Sequence, residues 1–243
     1  MKLNKIITLL IVVAASSLTF LSCTREAPLT ASAETGIGDK ATVQAFGATV
    51  KAARNYVYVD GIQISGGVFA LGGVFPATAY ASKIDAGARQ FLIKDTAAVT
   101  TQVPLSFSEI LESGKSYTIF TYDTTTSIKQ KTVLNNIIIP ADTTCMLRFA
   151  NFIYNTTALP NVDVYSLKRG NTIVFNNVST TGVTNYIPYA AGQTDVLTVY
   201  ATGTTTPVLA TITVPSLVQT RSYTAAYTGS YQGTKVTSVF VNY

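Results

Sequence analysis

Hydrophobic and polar residues alternate along most of this chain, in short runs separated by turn residues. The runs YVYV, YTIFTY, VLTVY, VLATITV, YTAAY and VFVNY are rich in Val, Ile, Thr and Tyr, and their period of two is typical of β-strands. In VLATITV, every second residue from Val208 to Val214 is expected to share the buried face of a sheet. Only SEILES at 108–113 suggests a helical turn, and it is short. The pattern predicts an all-β protein.

The strand pattern occurs twice along the chain. SYT begins at 116 and again at 222, and NYVYVDG begins at 55 where NVDVYSL begins at 161, so both pairs lie 106 residues apart. We therefore expect two tandem immunoglobulin-like antiparallel β-sandwiches, at 41–140 and 145–243, each of ordinary domain size. The likeness to antibody domains is architectural, because neither unit has the Cys, Trp and Cys of such a domain.

A short junction separates the two predicted units. The stretch IIIPADTT at 137–144 is expected to end one strand and to turn at Pro140. Because this junction is short, the two sandwiches are expected to sit end to end with limited freedom.

The longest apolar run lies near the start of the chain. It extends over 6–20, follows Lys2 and Lys5 and is followed by Cys23, which is typical of an export signal. FLSC resembles a bacterial lipobox, and this resemblance implies that 1–22 is a signal peptide and that Cys23 carries lipid, including palmitate. An uncleaved transmembrane anchor is the alternative, but the run is shorter than the roughly 20 residues that a spanning helix needs. Residues 23–40 are expected to be a flexible tether.

Composition restricts the chemistry that the chain can perform. The formal net charge is +5, but the charges are scattered and form no basic cluster for nucleic acid. There is no His and there are only two Cys, so common general-base, zinc and disulfide patterns are absent and no metal or cofactor is predicted. If Cys23 is acylated, Cys145 has no partner and is expected to be buried.

Several segments carry a family resemblance. The second unit contains LRFANF, NVDVYSLKRGNTIVFNNVS, YIPYAAG and RSYTAAYTG, and the first contains TVQAF, NYVYVDG, DAGARQF and SGKSYTIFTY. In this order the segments resemble the domain of unknown function 4397 family. The resemblance implies immunoglobulin-like units of a bacterial envelope lipoprotein, with no catalytic residues to transfer. Arg148 of the opening strand has Thr42 as its counterpart in the first unit.

Tyrosines in or near the predicted strands allow two interpretations. Exposed clusters of Tyr can bind sugars or proteins, but Tyr is also a good strand residue at the rim of a core, which we favour. The residues are Tyr56, Tyr58, Tyr117, Tyr122, Tyr186, Tyr189, Tyr223, Tyr227 and Tyr231. Tyr117 and Tyr223 occupy equivalent positions, which predicts a structural hydroxyl bonded to a nearby backbone carbonyl.

Short sequons and paired acids are the remaining candidate sites. DTA at 95, DTT at 123 and DTT at 142 match a bacterial O-glycosylation sequon, with Thr96, Thr124 and Thr143 as acceptors in predicted loops. Glu109 and Glu112 are predicted to be solvated charges, because two neighbours on one turn do not form a glycosidase cleft.

These features favour a non-catalytic lipoprotein of the cell envelope over an enzyme. The expected location is the outer membrane of a Gram-negative bacterium, reached through the lipid anchor. The first hypothesis is that the sandwiches bind an unidentified protein or glycan, with adhesion as one use. The alternative is a structural spacer or accessory subunit of an outer-membrane assembly. An exposed apolar or aromatic patch at the loop tips of one domain would favour the binder, whereas uniformly polar tips would favour the spacer.

The lipid anchor can be tested by replacing Cys23 with Ala. Each buried acyl methylene contributes roughly 0.8 kcal/mol to membrane binding, so C23A should lose lipid labelling and leave the membrane fraction. Labelling with a fatty-acid analogue and fractionation measure both effects. Cys145→Ala is the matched control and should behave as the wild type, whereas labelled, membrane-bound C23A would contradict the anchor.

Overall fold

The computed structural model describes residues 39–77 and 80–243, and the regular elements in these residues are all β-strands. The prediction of an all-β sandwich protein is confirmed. The strands of the first half are β1 (Lys40–Gly47), β2 (Asn55–Val59), β3 (Ile62–Gln63), β4 (Val74–Phe75), β5 (Ser82–Asp85), β6 (Gly87–Asp95), β7 (Leu105–Leu111), β8 (Ser116–Tyr122) and β9 (Lys129–Leu134). Those of the second half are β10 (Thr144–Tyr154), β11 (Val162–Ser166), β12 (Thr172–Val178), β13 (Gly182–Val183), β14 (Ile187–Ala190), β15 (Asp195–Ala201), β16 (Ala210–Val214), β17 (Ser222–Ser230) and β18 (Lys235–Asn242).

The two halves share one topology. In the first half, a five-stranded sheet has the order β4-β1-β8-β9 with β5 also on β1, and a four-stranded sheet has the order β3-β2-β6-β7. In the second half, the corresponding orders are β13-β10-β17-β18 with β14 on β10, and β12-β11-β15-β16. Each five-stranded sheet contains one parallel pair, β1 with β8 and β10 with β17. The shared topology confirms the internal duplication.

Each half encloses its own core between its two sheets. In the first half, Val43 and Ile119 of the large sheet pack with Val57 and Phe91 of the small sheet. In the second half, Leu147 and Ala225 pack with Val164 and Leu197 in the same way. The large sheet of each half thus places one face against the small sheet, as alternating side chains require.

The opposite faces of the two large sheets pack against each other and form a central interface. Phe120 stacks on Phe152 with ring centroids 4.6 Å apart, and Phe46 stacks on Phe240 at 4.8 Å, in each case between the halves. The expected end-to-end arrangement is therefore wrong. The described residues form one compact unit, because each large sheet has a second apolar stripe that only the other half can cover.

A buried polar network adjoins these rings in the central interface. Its members, three from each half, are Gln44, Thr118, Asn135, Arg148, Thr224 and Asn242. Arg148 Nε donates to Thr224 Oγ1 at 2.8 Å, and its Nη2 donates to Asn135 Oδ1 at 2.7 Å. Gln44 Nε2 donates to the Val241 carbonyl at 3.1 Å. Bonds between the halves satisfy polar groups that no water reaches.

Strand register corrects the predicted counterpart of Arg148. Gln44 lies opposite Thr118 in the first half, as Arg148 lies opposite Thr224 in the second. The counterpart is therefore Gln44 and not Thr42. Thr118 of β8 and Thr224 of β17 are 106 residues apart, but Gln44 of β1 and Arg148 of β10 are 104 apart. The segments that follow the opening strand therefore differ in length between the two halves.

Two local predictions from the sequence were wrong. Residues 108–113 do not form a helical turn, because Ser108 to Leu111 continue β7 and pair with β6. The segment 137–139 does not end a strand: β9 stops at Leu134, and Ile138 and Ile139 are exposed. Both segments are short, and periodicity assigns a few residues poorly.

The alternation predicted for 208–214 holds only within β16. Ile212 and Val214 are buried as expected, but Val208 is exposed and Leu209 is buried instead. The strand begins at Ala210, so the residues before it do not follow the pleat that fixes alternate faces.

Tyr117 and Tyr223 have the same structural role in the two halves. The Glu112 N–H donates to Tyr117 Oη at 3.0 Å, and the Val218 N–H donates to Tyr223 Oη at 3.0 Å. Both rings are buried. The structural role is as expected, but the partner is a backbone N–H rather than a carbonyl. Each hydroxyl fixes the loop that precedes its own strand.

Replacing Tyr117 or Tyr223 with Phe should therefore lower the free energy of unfolding. Each variant leaves one buried N–H without its acceptor, which costs about 1 kcal/mol, and the two losses should add because the sites are far apart. Chemical denaturation measures the effect. Tyr200→Phe is the control, because the Tyr200 hydroxyl makes no hydrogen bond within the described residues. If Tyr117→Phe and Tyr223→Phe are both as stable as the wild type, the structural role of the two hydroxyls is refuted.

Candidate functional site

An open groove of about 850 Å³ lies between the two halves, where β1, β8, β10 and β17 end. We call it the inter-sandwich groove. The first half contributes residues 50–51, Leu71, Thr101 and 124–126, and the second half contributes Tyr154, Ser230 and 233–234. Since both halves line it, neither sandwich would form this groove alone. Its volume is in the range of ligand pockets in proteins.

Most of the residues that line the inter-sandwich groove are Thr or Ser. Six aliphatic hydroxyls line it, from Thr101, Thr124, Thr125, Thr126, Ser230 and Thr234. The ring of half-buried Tyr154 and the side chains of Val50 and Leu71 add an apolar part. Hydroxyls both donate and accept hydrogen bonds. The combination suits a ligand that has many hydroxyls and also an apolar face.

Backbone hydrogen bonds hold the loops that form the groove. The Val50 N–H donates to the Asp123 carbonyl at 2.8 Å, and the Val103 N–H donates to the Thr125 carbonyl at 2.9 Å. In the second half, the Tyr231 N–H donates to the Tyr154 carbonyl at 2.8 Å. These bonds fix the lining residues before any ligand binds, which lowers the entropy lost on binding.

A glycine near the end of β17 helps to shape this wall. Gly229 has a φ of 91°, and a side-chain carbon there would collide with the Thr234 carbonyl oxygen. Only Gly combines this conformation with so close an approach. Gly229 thus allows residues 230–234 to fold back over the groove.

The charged residue Lys51 lies on one side of the groove. Lys51 is exposed and adopts a left-handed backbone conformation, with a φ of 66°. It also lines an adjoining depression of about 460 Å³, together with Arg54 and Asp95. The pKa of the Asp95 carboxyl lies below its usual range, because the Ala97 N–H, the Thr100 hydroxyl and Arg54 all favour its charged form. Asp95 is therefore an anion that anchors its loop.

An exposed apolar residue marks the edge of this depression. Val99 lies in the loop after β6 and is 92% exposed. Val99 is one side chain and not the exposed apolar patch that would favour a binding protein over a spacer.

The predicted site residues do not gather in one place. Thr96 and Thr143 lie on exposed loops, whereas Thr124 is half-buried in the wall of the groove. Their modification stays a prediction. Cys23 lies outside the described residues. Cys145 is buried as expected, and burial raises the pKa of its thiol.

The tyrosines form no shared surface cluster. Tyr117, Tyr189, Tyr223 and Tyr227 are buried, which agrees with a role in the cores. The tyrosine of the groove, Tyr154, was not among the candidates from the sequence. It ends the apolar strand TCMLRFANFIY, and nothing in this pattern distinguishes it from a core residue.

Within 39–77 and 80–243, no group of three or more Cys, Asp or Glu residues could hold a metal ion. The same residues include no helix long and apolar enough to span a membrane.

Comparison with known proteins leaves the family unassigned. No family model matches the chain, and no curated protein matches it either, so the resemblance to the domain of unknown function 4397 family stays a prediction. Among solved structures, the chain is similar to a family 41 carbohydrate-binding module from streptococcal virulence factors, in a study of alpha-glucan recognition. The identity is 12%, the match covers 83% of this chain and 97% of the module, and the TM-score is 0.28. A likeness at this TM-score carries no argument about function.

A buried carboxylate elsewhere in the second half is structural. Asp195 accepts hydrogen bonds from Ser166 Oγ at 2.5 Å, the Lys168 N–H at 2.9 Å and the Tyr189 hydroxyl. Burial opposes its charge, but these bonds and that from the Val196 N–H outweigh burial, so the pKa of Asp195 lies below its usual value. The carboxylate holds the turn after β11 against β14.

Asp195→Asn should therefore destabilise the protein in a pH-dependent way. Each carboxylate oxygen accepts two hydrogen bonds. In the Asn variant, the NH2 group faces two of these donors and cannot accept from them. We therefore expect the free energy of unfolding to fall by about 2 kcal/mol at pH 7. Because the folded pKa is lowered, this stabilisation exists above the unfolded pKa, near 3.8, and disappears as pH falls through the folded pKa. Chemical denaturation at pH 7 and at about pH 3 measures the difference.

Glu112→Gln is the matched control for this experiment. Glu112 is exposed, so its variant should follow the wild type at both pH values. A D195N deficit that stays the same at both values would contradict the structural role of the charge.

Proposed function

We propose that the protein is a lipid-anchored, non-catalytic protein of the bacterial envelope that binds a glycan in the inter-sandwich groove. One observation carries the proposal: six Thr and Ser residues and Tyr154 line one groove to which both halves contribute.

The chemistry of the groove matches that of a neutral sugar chain. Sugar hydroxyls pair with Thr and Ser hydroxyls in either direction, because both partners donate and accept. An aromatic ring supplies area for the apolar face of a sugar at low conformational cost. Lys51 can donate to a sugar oxygen from the side of the groove. The open shape fits a chain better than an isolated small molecule.

The location belongs to the proposal as well. A lipid on Cys23 and the stretch at 23–40 would hold the sandwiches at the outer membrane of a Gram-negative cell. A glycan bound there would attach the envelope to that polymer, which is adhesion in its simplest form.

Binding can be tested with the purified full-length protein on a panel of neutral glycans, followed by calorimetry on any glycan that binds. Thr126→Val and Lys51→Met each remove one hydrogen-bonding group without creating a large cavity. Each should weaken binding about fivefold, which corresponds to a lost hydrogen bond of about 1 kcal/mol.

Thr205→Val is the matched control. Thr205 is exposed in a loop of the second half and does not line the groove, so this variant should bind as the wild type does. If no neutral glycan binds, or if the Thr126 and Lys51 variants bind with unchanged affinity, the groove is not a glycan site.

A further inference from the structure

A second pocket opens where the buried polar network of the central interface reaches the surface. It has a volume of about 330 Å³ and is lined by Arg148 and Tyr186, by Asn136 and Asn185, and by Leu134 and Ile138 at its edge, among others. We call it the Arg148 pocket. It shares no lining residue with the inter-sandwich groove.

Arg148 is buried without an opposite charge. The residue is 2% exposed, and its hydrogen-bond partners are the neutral side chains of Thr224, Asn135 and Thr118. The guanidinium also lies over the Tyr186 ring, 4.8 Å from the centroid. Within the described residues, no carboxylate lies within 4.0 Å of it. A buried charge with only neutral partners is costly unless an anion compensates it.

Part of the guanidinium remains available to a ligand. Its three hydrogen bonds use Nε and Nη2, whereas arginine has five N–H groups. Nη1 makes no hydrogen bond within the described residues and is not among the fully buried polar atoms that lack a partner. Since Arg148 lines the pocket, Nη1 is the edge that a ligand can reach.

The fold itself does not require a charge at this position. Gln44 has the equivalent place in the first half, and it satisfies its side of the network as a neutral amide. The two equivalent positions of this one network thus hold a neutral amide and a cation, and of these two residues only Arg148 lines this pocket.

The remaining lining indicates the kind of anion. Lys131 Nζ donates to the Thr181 carbonyl beside Val183 of the lining, which adds a second positive charge near the opening. Asn136 and Asn185 are exposed and supply amide groups, and Leu134 and Ile138 supply apolar surface. The N–H groups of Nη1 can donate charge-assisted hydrogen bonds to a carboxylate. The volume suits one ring-sized group rather than a length of peptide.

We propose that the Arg148 pocket binds the carboxylate of an acidic sugar, with the guanidinium on the carboxylate and the two asparagine amides on sugar hydroxyls. This goes beyond the proposed function, because it names a separate site and a charged class of ligand. The two can fail independently.

The test uses the full-length protein and D-glucuronate as the probe, with D-glucose and inorganic sulfate as comparison arms, and follows binding by calorimetry and by the shift in melting temperature. Glucuronate should bind saturably and at least about tenfold more tightly than glucose. Arg148→Gln, which copies the residue of the first half, should abolish this preference. Arg221→Gln, at an exposed arginine outside the pocket, should leave it unchanged.

A second variant keeps the test valid if R148Q does not fold. Asn136→Ala combined with Asn185→Ala changes only exposed side chains, and it should weaken glucuronate about tenfold while leaving sulfate binding unchanged. Equal binding of glucuronate by the wild type and R148Q would overturn the proposal. Equal affinity of the wild type for glucose and glucuronate would also overturn it. A third contrary result is that sulfate binds as tightly as glucuronate and that the double asparagine variant changes neither affinity.

Discussion

The packing of the two five-stranded sheets against each other is the constraint on which the rest of the structure depends. A sheet that is covered on one face can alternate apolar and polar residues, but a sheet covered on both faces cannot. In β1 the residues from Ala41 to Gly47 are all buried, and in β17 the same is true of Ser222 to Gly229. Polar side chains on the second face, such as Gln44 and Arg148, must therefore find partners in the other half. The buried network and the four stacked phenylalanines are the result.

The duplication explains why the candidate sites lie where they do. Two copies of one sandwich meet with their equivalent sheets face to face, so equivalent strands end together and their loops enclose the inter-sandwich groove. The copies have also diverged. Gln44 and Arg148 occupy equivalent positions, yet only Arg148 lines a pocket. Both halves thus line both pockets, but of the two equivalent positions only Arg148 supplies a cation to one of them.

Part of the fold could be predicted from periodicity. Alternation of β-branched and aromatic residues identified β2, β8, β15, β16, β17 and β18, and the repeated SYT at 116–118 and 222–224 identified the duplication. Errors arose in short segments, as at 108–113 and at 137–139, because a few residues do not distinguish a strand from a turn. The candidate site was less predictable. Tyr154 closes an apolar strand, and the threonines of the groove come from loops whose composition is common throughout this chain.

The sequence by itself determined the class of fold, the number of repeats and the burial of Cys145, because these follow from local pattern and from composition. Only the tertiary structure decided that the sandwiches pack face to face and that Gln44, rather than Thr42, is the counterpart of Arg148. It also decided that Asp195 accepts bonds from Ser166 and Tyr189, 29 and 6 residues away along the chain. The physical reason is the same in each case. Periodicity reports that a side chain is buried, but which partner covers it depends on contacts between residues far apart in sequence.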